Sequence, residues 1–421
     1  MNNLNNKIKK LPLDNAAKIY PAAKTKKWNA VFCVCVHTKE TIDVNALNKA
    51  AVELAERFPF YYTALKKGFF WDCLIPAEGY PLVEKDCGQI CRAFNLNDKS
   101  TPLFRIVYSD KEIRVEFFHC LTDGTGAFEY LRALTLRYYE NCRLTVEDTA
   151  DIKTVRQTYS KEEIEDDFQN IYIKGAGGSR KECKAYQLPI YSDGNYLSST
   201  KICLPIDELK SFIKSKYNCT ITQYTATVYA LAILEQYKSS NRKKPVKISI
   251  PVNLRPYFNS QTLRNFSSFI TVNVTPQNSY TFENVLSLIK SEMSKKIKKE
   301  NFIKSVSKNV ADEKMMIARF SPNFIKQFFM RQAFIIFGEK KFTSTVTSMG
   351  YKKMPSSLEE HIDYFSAGVG ETYINKINCA VAGFKNTLCI NITCAGRDMS
   401  VQNYFINYIK SSGISCRVSY S

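Results

Sequence analysis

The stretch EFFHCLTDGTGAFEYL, residues 116–131, decides how this chain is read. It closes the run IRVEFFH, in which Ile113, Val115 and Phe117 alternate with Arg114, Glu116 and Phe118, the period of a strand. Beyond it, Phe128, Leu131, Leu134 and Tyr138 fall along one side of a helix. One of only three histidines in 421 residues, His119, therefore stands at a strand-to-helix junction, four residues before Asp123 and Gly124. An imidazole placed there can act as a general base, since its unperturbed pKa of ~6.5 leaves most of it neutral at pH 7. Asp123 is close enough to shape the loop, and Gly124 is expected to supply backbone freedom for a tight turn. Spacing alone favours a hydrogen-bonded strand-end histidine beside a helix-capping aspartate over a base.

Outward from this junction, the front of the chain mixes helices and strands. DVNALNKAAVELAERFP reads as a helix capped by Asp43, and YYTALKKGFFWDCLIP as a hairpin around a Lys-Lys-Gly turn. From about 145 to 195 the composition turns acidic and then glycine-rich, the mark of a crossover between two units. KGAGGSRK lacks the spacing of a phosphate-binding loop. After it, PIDELKSFIKSKY and TITQYTATVYALAILEQY read as helices, and VKISIPVNL and SFITVNVTP as strands. FENVLSLIKSEMSKKIKKENF reads as one amphipathic helix with a lysine-rich face, NKINCAVAGFKNTLCINITCAG as a hairpin and VQNYFINYIKSS as a final helix. The expected organisation is residues 1–150, a crossover at 151–195 and a second lobe at 196–421.

Fourteen cysteines scattered through apolar runs, such as Cys33, Cys35, Cys379 and Cys389, read as small buried residues of a reduced, cytoplasmic protein. Cys87 and Cys91 have no second ligand pair beside them, so no metal is expected. No secretory signal is evident. The greasiest stretch, SPNFIKQFFMRQAFIIFG at 321–338, is interrupted by Lys326 and Arg331 and reads as a buried helix or one flanking a greasy channel, not a membrane span. A net charge of +19 attracts an anionic partner, yet no recognisable nucleic-acid-binding module accompanies it.

His119-Cys120-Leu121-Thr122-Asp123-Gly124 resembles the His-x-x-x-Asp-Gly signature of the chloramphenicol acetyltransferase-like, CoA-dependent acyltransferases, a superfamily that includes condensation domains and alcohol acetyltransferases. TPLFRIVY (101–108) resembles the Pro-Leu-x-Arg strand that precedes that signature, and SIPVNLRPYFNSQTLRNFSSFITVNV (249–274) its second-lobe counterpart. Phe118 takes the place of a first histidine found in many relatives. A late Ser-Asn-x-Gly-like strand is represented by Thr347-Ser348-Met349-Gly350, and the plant-type Asp-Phe-Gly-Trp-Gly segment is absent.

The resemblance implies an α/β fold of two similar lobes, with mixed sheets covered by helices and a channel between them. It implies an acyltransferase with His119 as general base, taking the proton of a hydroxyl or amine acceptor as that group attacks the thioester. Acyl-CoA is then a co-substrate and no cofactor stays bound; an acidic acyl carrier protein is the alternative donor. Asp123 and Gly124 would support the site, with Arg255 the expected partner of Asp123 and Arg105 the runner-up. Thr347 and Ser348 would line the channel or assist the oxyanion. By charge, Lys295, Lys296, Lys298 and Lys299 suit either anionic donor, and they read at least as readily as a solvated helix face. Cys120, neighbouring His119 on a strand, should face away from it into the core. The other readings of the same residues are a non-catalytic binding or scaffold protein of this fold and, further off, a nucleic-acid-binding protein.

Overall fold

The computed structural model describes residues 8–25, 28–149, 151–178, 183–192, 196–275, less 239–243, then 280–315 and 321–421. Residues 179–182 of the glycine-rich stretch lie outside these. The first part of the chain runs β1 (Leu11–Pro12), α1 (Ile19–Ala23), β2 (Val31–Thr38), α2 (Val44–Glu53), β3 (Thr63–Lys66), β4 (Cys73–Pro76), β5 (Val83–Lys85), β6 (Phe104–Tyr108), β7 (Glu112–Phe118) and α3 (Gly124–Asn141). After α4 (Asp167–Asn170) come β8 (Ser198–Pro205), α5 (Ile206–Tyr217), α6 (Ile221–Lys238), β9 (Val246–Asn253), α7 (Arg255–Phe258), β10 (Ser267–Val274), α8 (Phe282–Lys296), α9 (Lys299–Lys314) and α10 (Asn323–Ala333). The chain closes with β11 (Ser344–Lys352), α11 (Ser356–Glu359), β12 (Ile362–Val369), β13 (Ile377–Phe384), β14 (Thr387–Cys394), α12 (Ser400–Ser411) and β15 (Arg417–Tyr420).

Local chemistry sets several of these boundaries. Asp43 accepts from the amides of Asn45 and Ala46 and starts α2. Asp123 does the same for α3 through Thr125 and Gly126. Asn218, in the left-handed region, ends α5. The lysine-rich stretch is not one helix. Ile297 leaves helical geometry and Lys298 is extended, while the Asn301 side chain donates to the carbonyls of Lys295 and Lys296, so α8 and α9 are separate.

The architecture is mixed α/β. A five-stranded sheet, β12-β2-β7-β6-β5, carries the front lobe, and a seven-stranded sheet, β10-β9-β11-β13-β14-β8-β15, the second; β1-β4-β3 form a small third sheet. One buried cluster centres on Phe58, Phe117, Phe128 and Leu131, another on Tyr229, Ile248, Ile390 and Phe405. Between α3 and β8 the described chain holds only α4 and a turn of 3-10 helix at Glu162–Ile164. Sheet membership crosses the division of the sequence. β12, from the last quarter of the chain, pairs antiparallel with β2 and completes the front sheet. Every residue of β7 is buried, Arg114 and Glu116 included, because both faces of that strand are covered.

One expectation about packing is corrected. The stretch 321–338 is helical, as α10 followed by a π-helical turn at Phe334–Gly338, but α10 is not buried: Phe324, Phe328 and Phe329 are 73%, 60% and 64% exposed. Its helix is anchored by one side only. Among the described residues, no helix is long and apolar enough to cross a membrane.

Candidate active site

His119 follows directly on β7, with its amide donating to the Ala30 carbonyl at 2.9 Å. The partly buried ring stacks on Tyr20 (centroids 4.4 Å apart, planes 11° apart) and tilts against Phe32 at 4.7 Å. Its Nδ1 lies 3.1 Å from Oδ1 of Asn265, which stands on the connection between α7 and β10. The Asn265 amide nitrogen donates to the backbone carbonyl of His119 at 3.1 Å and to Oδ2 of Asp14 at 3.2 Å. The carbonyl of His119 can only accept, so the amide nitrogen must point to it and Oδ1 must face the ring. Nδ1 therefore carries the hydrogen. The lone pair of the imidazole is left on Nε2.

Burial pushes the imidazolium of His119 below the usual histidine range, against the opposing pull of its own backbone, of Asp123 and of Asn265. The neutral, base-competent form is thus the favoured one at neutral pH. Behind Asn265, Asp14 is fully buried with Arg264 Nε at 3.6 Å, and desolvation raises its pKa despite that neighbour.

Asp123 does more than cap α3. Its carboxylate takes both terminal nitrogens of Arg255, at 2.9 and 3.1 Å, and the amide of Phe266 at 2.9 Å. Arg255 in turn donates to the carbonyls of Thr262 and Arg264. Burial alone would raise the Asp123 carboxyl, but Arg255 overrides it and holds the pKa below the ordinary value. Arg105 is elsewhere: it donates to the Arg92 and Ala93 carbonyls, covers Phe94 and faces Glu116 at 3.6 Å. Thr122 and Tyr61 both donate to the Leu263 carbonyl, so the whole 253–266 segment is docked on the histidine turn.

Gly124 does not supply the backbone freedom expected of it, and it meets only the flexible end of a neighbouring methionine. It is not among the residues with positive φ; a Cβ there would lie 2.6 Å from Sδ of Met349. That contact brings β11 onto the start of α3. Thr347 is buried beside Ala380 of β13, whereas Ser348 is exposed. Cys120 is fully buried. Phe118, in the place of the first histidine, pairs with Val31 and is also fully buried. Lys295 and Lys298 are exposed; Lys296 pairs with Glu292 at 2.8 Å, and Lys299 covers the Phe258 ring at 5.1 Å. A cavity of about 730 Å³ has Pro21, Asn29, Asp72, Arg105 and Gln327 in its wall; His119 is not one of its lining residues.

Asn265, Tyr20 and Asp14 are the members of the site that sequence reading misses. Asn265 stands in an Asn-Phe-Ser sequon, a surface signal, yet it is 1% exposed. Only the resemblance of 249–274 to a second-lobe segment pointed at this region.

No family model and no curated protein matches the chain. Solved structures do. Polyketide synthase associated protein 5 from Mycobacterium tuberculosis aligns over 95% of this chain and 97% of its own, at 13% identity and a TM-score of 0.59. The TRI3 trichothecene 15-O-acetyltransferase of Fusarium sporotrichioides aligns over 95% and 93%, at 10% identity and 0.57. The starter condensation domain of rhizomide synthetase RzmA aligns over 96% and 97%, at 11% identity and 0.54. The chain thus has the two-lobed chloramphenicol acetyltransferase-like fold, the fold of CoA-dependent acyltransferases and condensation domains.

Proposed function

We propose that the protein is an acyltransferase that moves an acyl group from acyl-CoA, or from an acyl carrier protein, to a hydroxyl or amine acceptor, in the manner of an alcohol O-acetyltransferase. The observation that carries this reading is the hydrogen-bonded fixing of His119: Asn265 holds the proton on Nδ1 and leaves Nε2 free to accept one. In the reaction, Nε2 takes the proton of the acceptor as its oxygen or nitrogen attacks the thioester carbonyl. The tetrahedral intermediate then collapses, the carbon–sulfur bond breaks, and the same proton passes to the departing thiolate. No acyl-enzyme forms. Cys120, buried in the core, has no part in it.

The ion pair of Asp123 with Arg255 supports the reading by fixing the turn that presents His119. The neighbouring Thr347 and Ser348 are proposed to line the acyl path, since Met349 packs on the same turn. Lys295, Lys298 and Lys299 are proposed to receive the phosphates of CoA or an acidic carrier, with Lys296 already engaged by Glu292. The dispersed cysteines support a reducing, cytoplasmic setting.

The test is to incubate the purified chain with a panel of acyl-CoAs and pooled alcohols and amines, following free thiol and product mass. Thiol release matched by acylated product, and lost in His119→Ala, is the expected result. Absence of turnover across the panel, with carrier-bound donors included, would return the protein to the class of non-catalytic members of the fold.

A further inference from the structure

The hairpin tip between β3 and β4 and the outer face of α10 share a surface that the proposed chemistry does not use. Phe69 is 72% exposed and Phe70 43%, and beside them Phe324, Ile325, Phe328 and Phe329 of α10 also face outward. The two elements are fastened together. The Asn323 amide donates to the Phe69 carbonyl at 2.7 Å, while the side chains of Asn323 and Gln327 bind the two oxygens of Asp72. Lys326 is turned inward over the Trp71 ring at 3.7 Å. These phenylalanines are therefore held outward by a braced scaffold.

The exposed charges of these two segments have one sign. Lys66 and Lys67 are exposed at the hairpin tip, and Arg331 is exposed on α10, where it donates to the carbonyls of Ala22 and Lys24. Residues 61–71 and 321–338 contain no aspartate or glutamate, and Asp72 is 6% exposed and already bonded. A cluster of protruding phenylalanines rimmed by cations, on a chain of net charge +19, matches the apolar and anionic layers of a lipid surface. At 11 residues α10 is about 16 Å long, half a bilayer core, so it suits lying in the interface and not crossing it.

We propose that this face docks the protein on anionic lipid bilayers. The phenylalanines stand on a hairpin tip and an outer helix face, and none of them lines the 730 Å³ cavity. Lys67, Asp72 and Gln327 do line it, so a docked molecule presents the mouth of that cavity to the lipid. The inference is independent of the acyltransferase reading.

Flotation of the full chain with vesicles tests it. Vesicles of phosphatidylcholine with about one third phosphatidylserine should carry the protein at low salt, phosphatidylcholine alone should carry far less, and rising salt should release it. Phe328→Ser with Phe329→Ser, and separately Lys66→Glu with Lys67→Glu, should each weaken vesicle binding about tenfold or more while circular dichroism stays unchanged. Failure to float with phosphatidylserine at low salt overturns the proposal. So does binding that both variants retain in full. Sedimentation gives a further check: a dimer dissolved by the phenylalanine substitutions would show that a second copy of the chain, not a bilayer, covers this face.

Discussion

His119 can serve as a base only if its free nitrogen is the right one, and that choice is made by a neighbour. Removing the ring in His119→Ala should lower turnover by about two to four orders of magnitude with the fold intact. Asn265→Ala keeps the ring but frees its tautomer and orientation, so turnover should fall by about one to two orders with the donor KM little changed. An Asn265→Ala enzyme with wild-type turnover would sink the assignment. The pH profile gives an independent reading. Burial lowers the His119 pKa from 6.5, so the protonated, inactive form gathers only at more acid pH. The acid limb of kcat/KM should therefore fall below pH 6.5, and a limb above that value would contradict the partly buried, Asn265-bonded ring.

At the scale of elements, the site is a docking of two segments: the turn from β7 into α3, and the loop from β9 through α7 into β10. Asp123 and Arg255 are the bolt. Truncating either leaves a buried charge uncompensated, so Asp123→Ala and Arg255→Ala should each cost about 3–5 kcal/mol of unfolding free energy. A double-mutant cycle should give a coupling of about 0.5–3 kcal/mol, and zero coupling would deny the pair its structural role. Gly126 probes the same junction. Alanine there gains about 1 kcal/mol of helix propensity, but its Cβ would lie 2.1 Å from the Leu263 carbonyl and 2.2 Å from Thr122 Oγ1. Gly126→Ala should therefore destabilise, with a lower midpoint in urea. This junction was largely legible from residues 116–131, since strand period, cap and helix period are all local signals. The loop that meets it was legible only through resemblance. Asn265 was not legible as a site residue, because its partners lie 146 and 251 positions away. The outward face of α10 was missed for a related reason: an apolar run tells how greasy a helix is, not whether anything covers it.

For the whole molecule, the question is what holds the two sheets together. Periodicity could not reveal it, because β12 pairs with β2 across more than three hundred residues and the charges of β7 find partners in the other lobe. Glu112 of β7 binds Lys201 of β8, in the seven-stranded sheet, at 2.7 Å, and Arg114 at 3.0 Å; His37 Nδ1 is 3.4 Å away and its Nε2 meets Ser366 of β12 at 2.9 Å. Burial pushes His37 down from 6.5 to about 3. It would push Glu112 up, but the surrounding positive charge, with Lys201 and Arg114 its permanent members, holds that carboxyl at about 2 against an ordinary 4.5. Both shifts act in one direction. Between pH 6.5 and 3 the unfolded chain binds a proton at His37 that the folded chain refuses, and between 4.5 and 2 the same holds for Glu112, so stability must fall as pH falls through these windows. His37→Gln should flatten the upper part of that decline in urea midpoints measured from pH 7 to 4. The two ends of the cross-lobe pair are not equivalent. Without Lys201, Glu112 keeps Arg114; without Glu112, Arg114 keeps Asp86 and Glu116, but Lys201 loses its carboxylate in a buried place. Glu112→Gln should accordingly cost about 3–5 kcal/mol and Lys201→Met distinctly less, and the reverse order would mean that the lobes are joined by packing, with these charges as passengers.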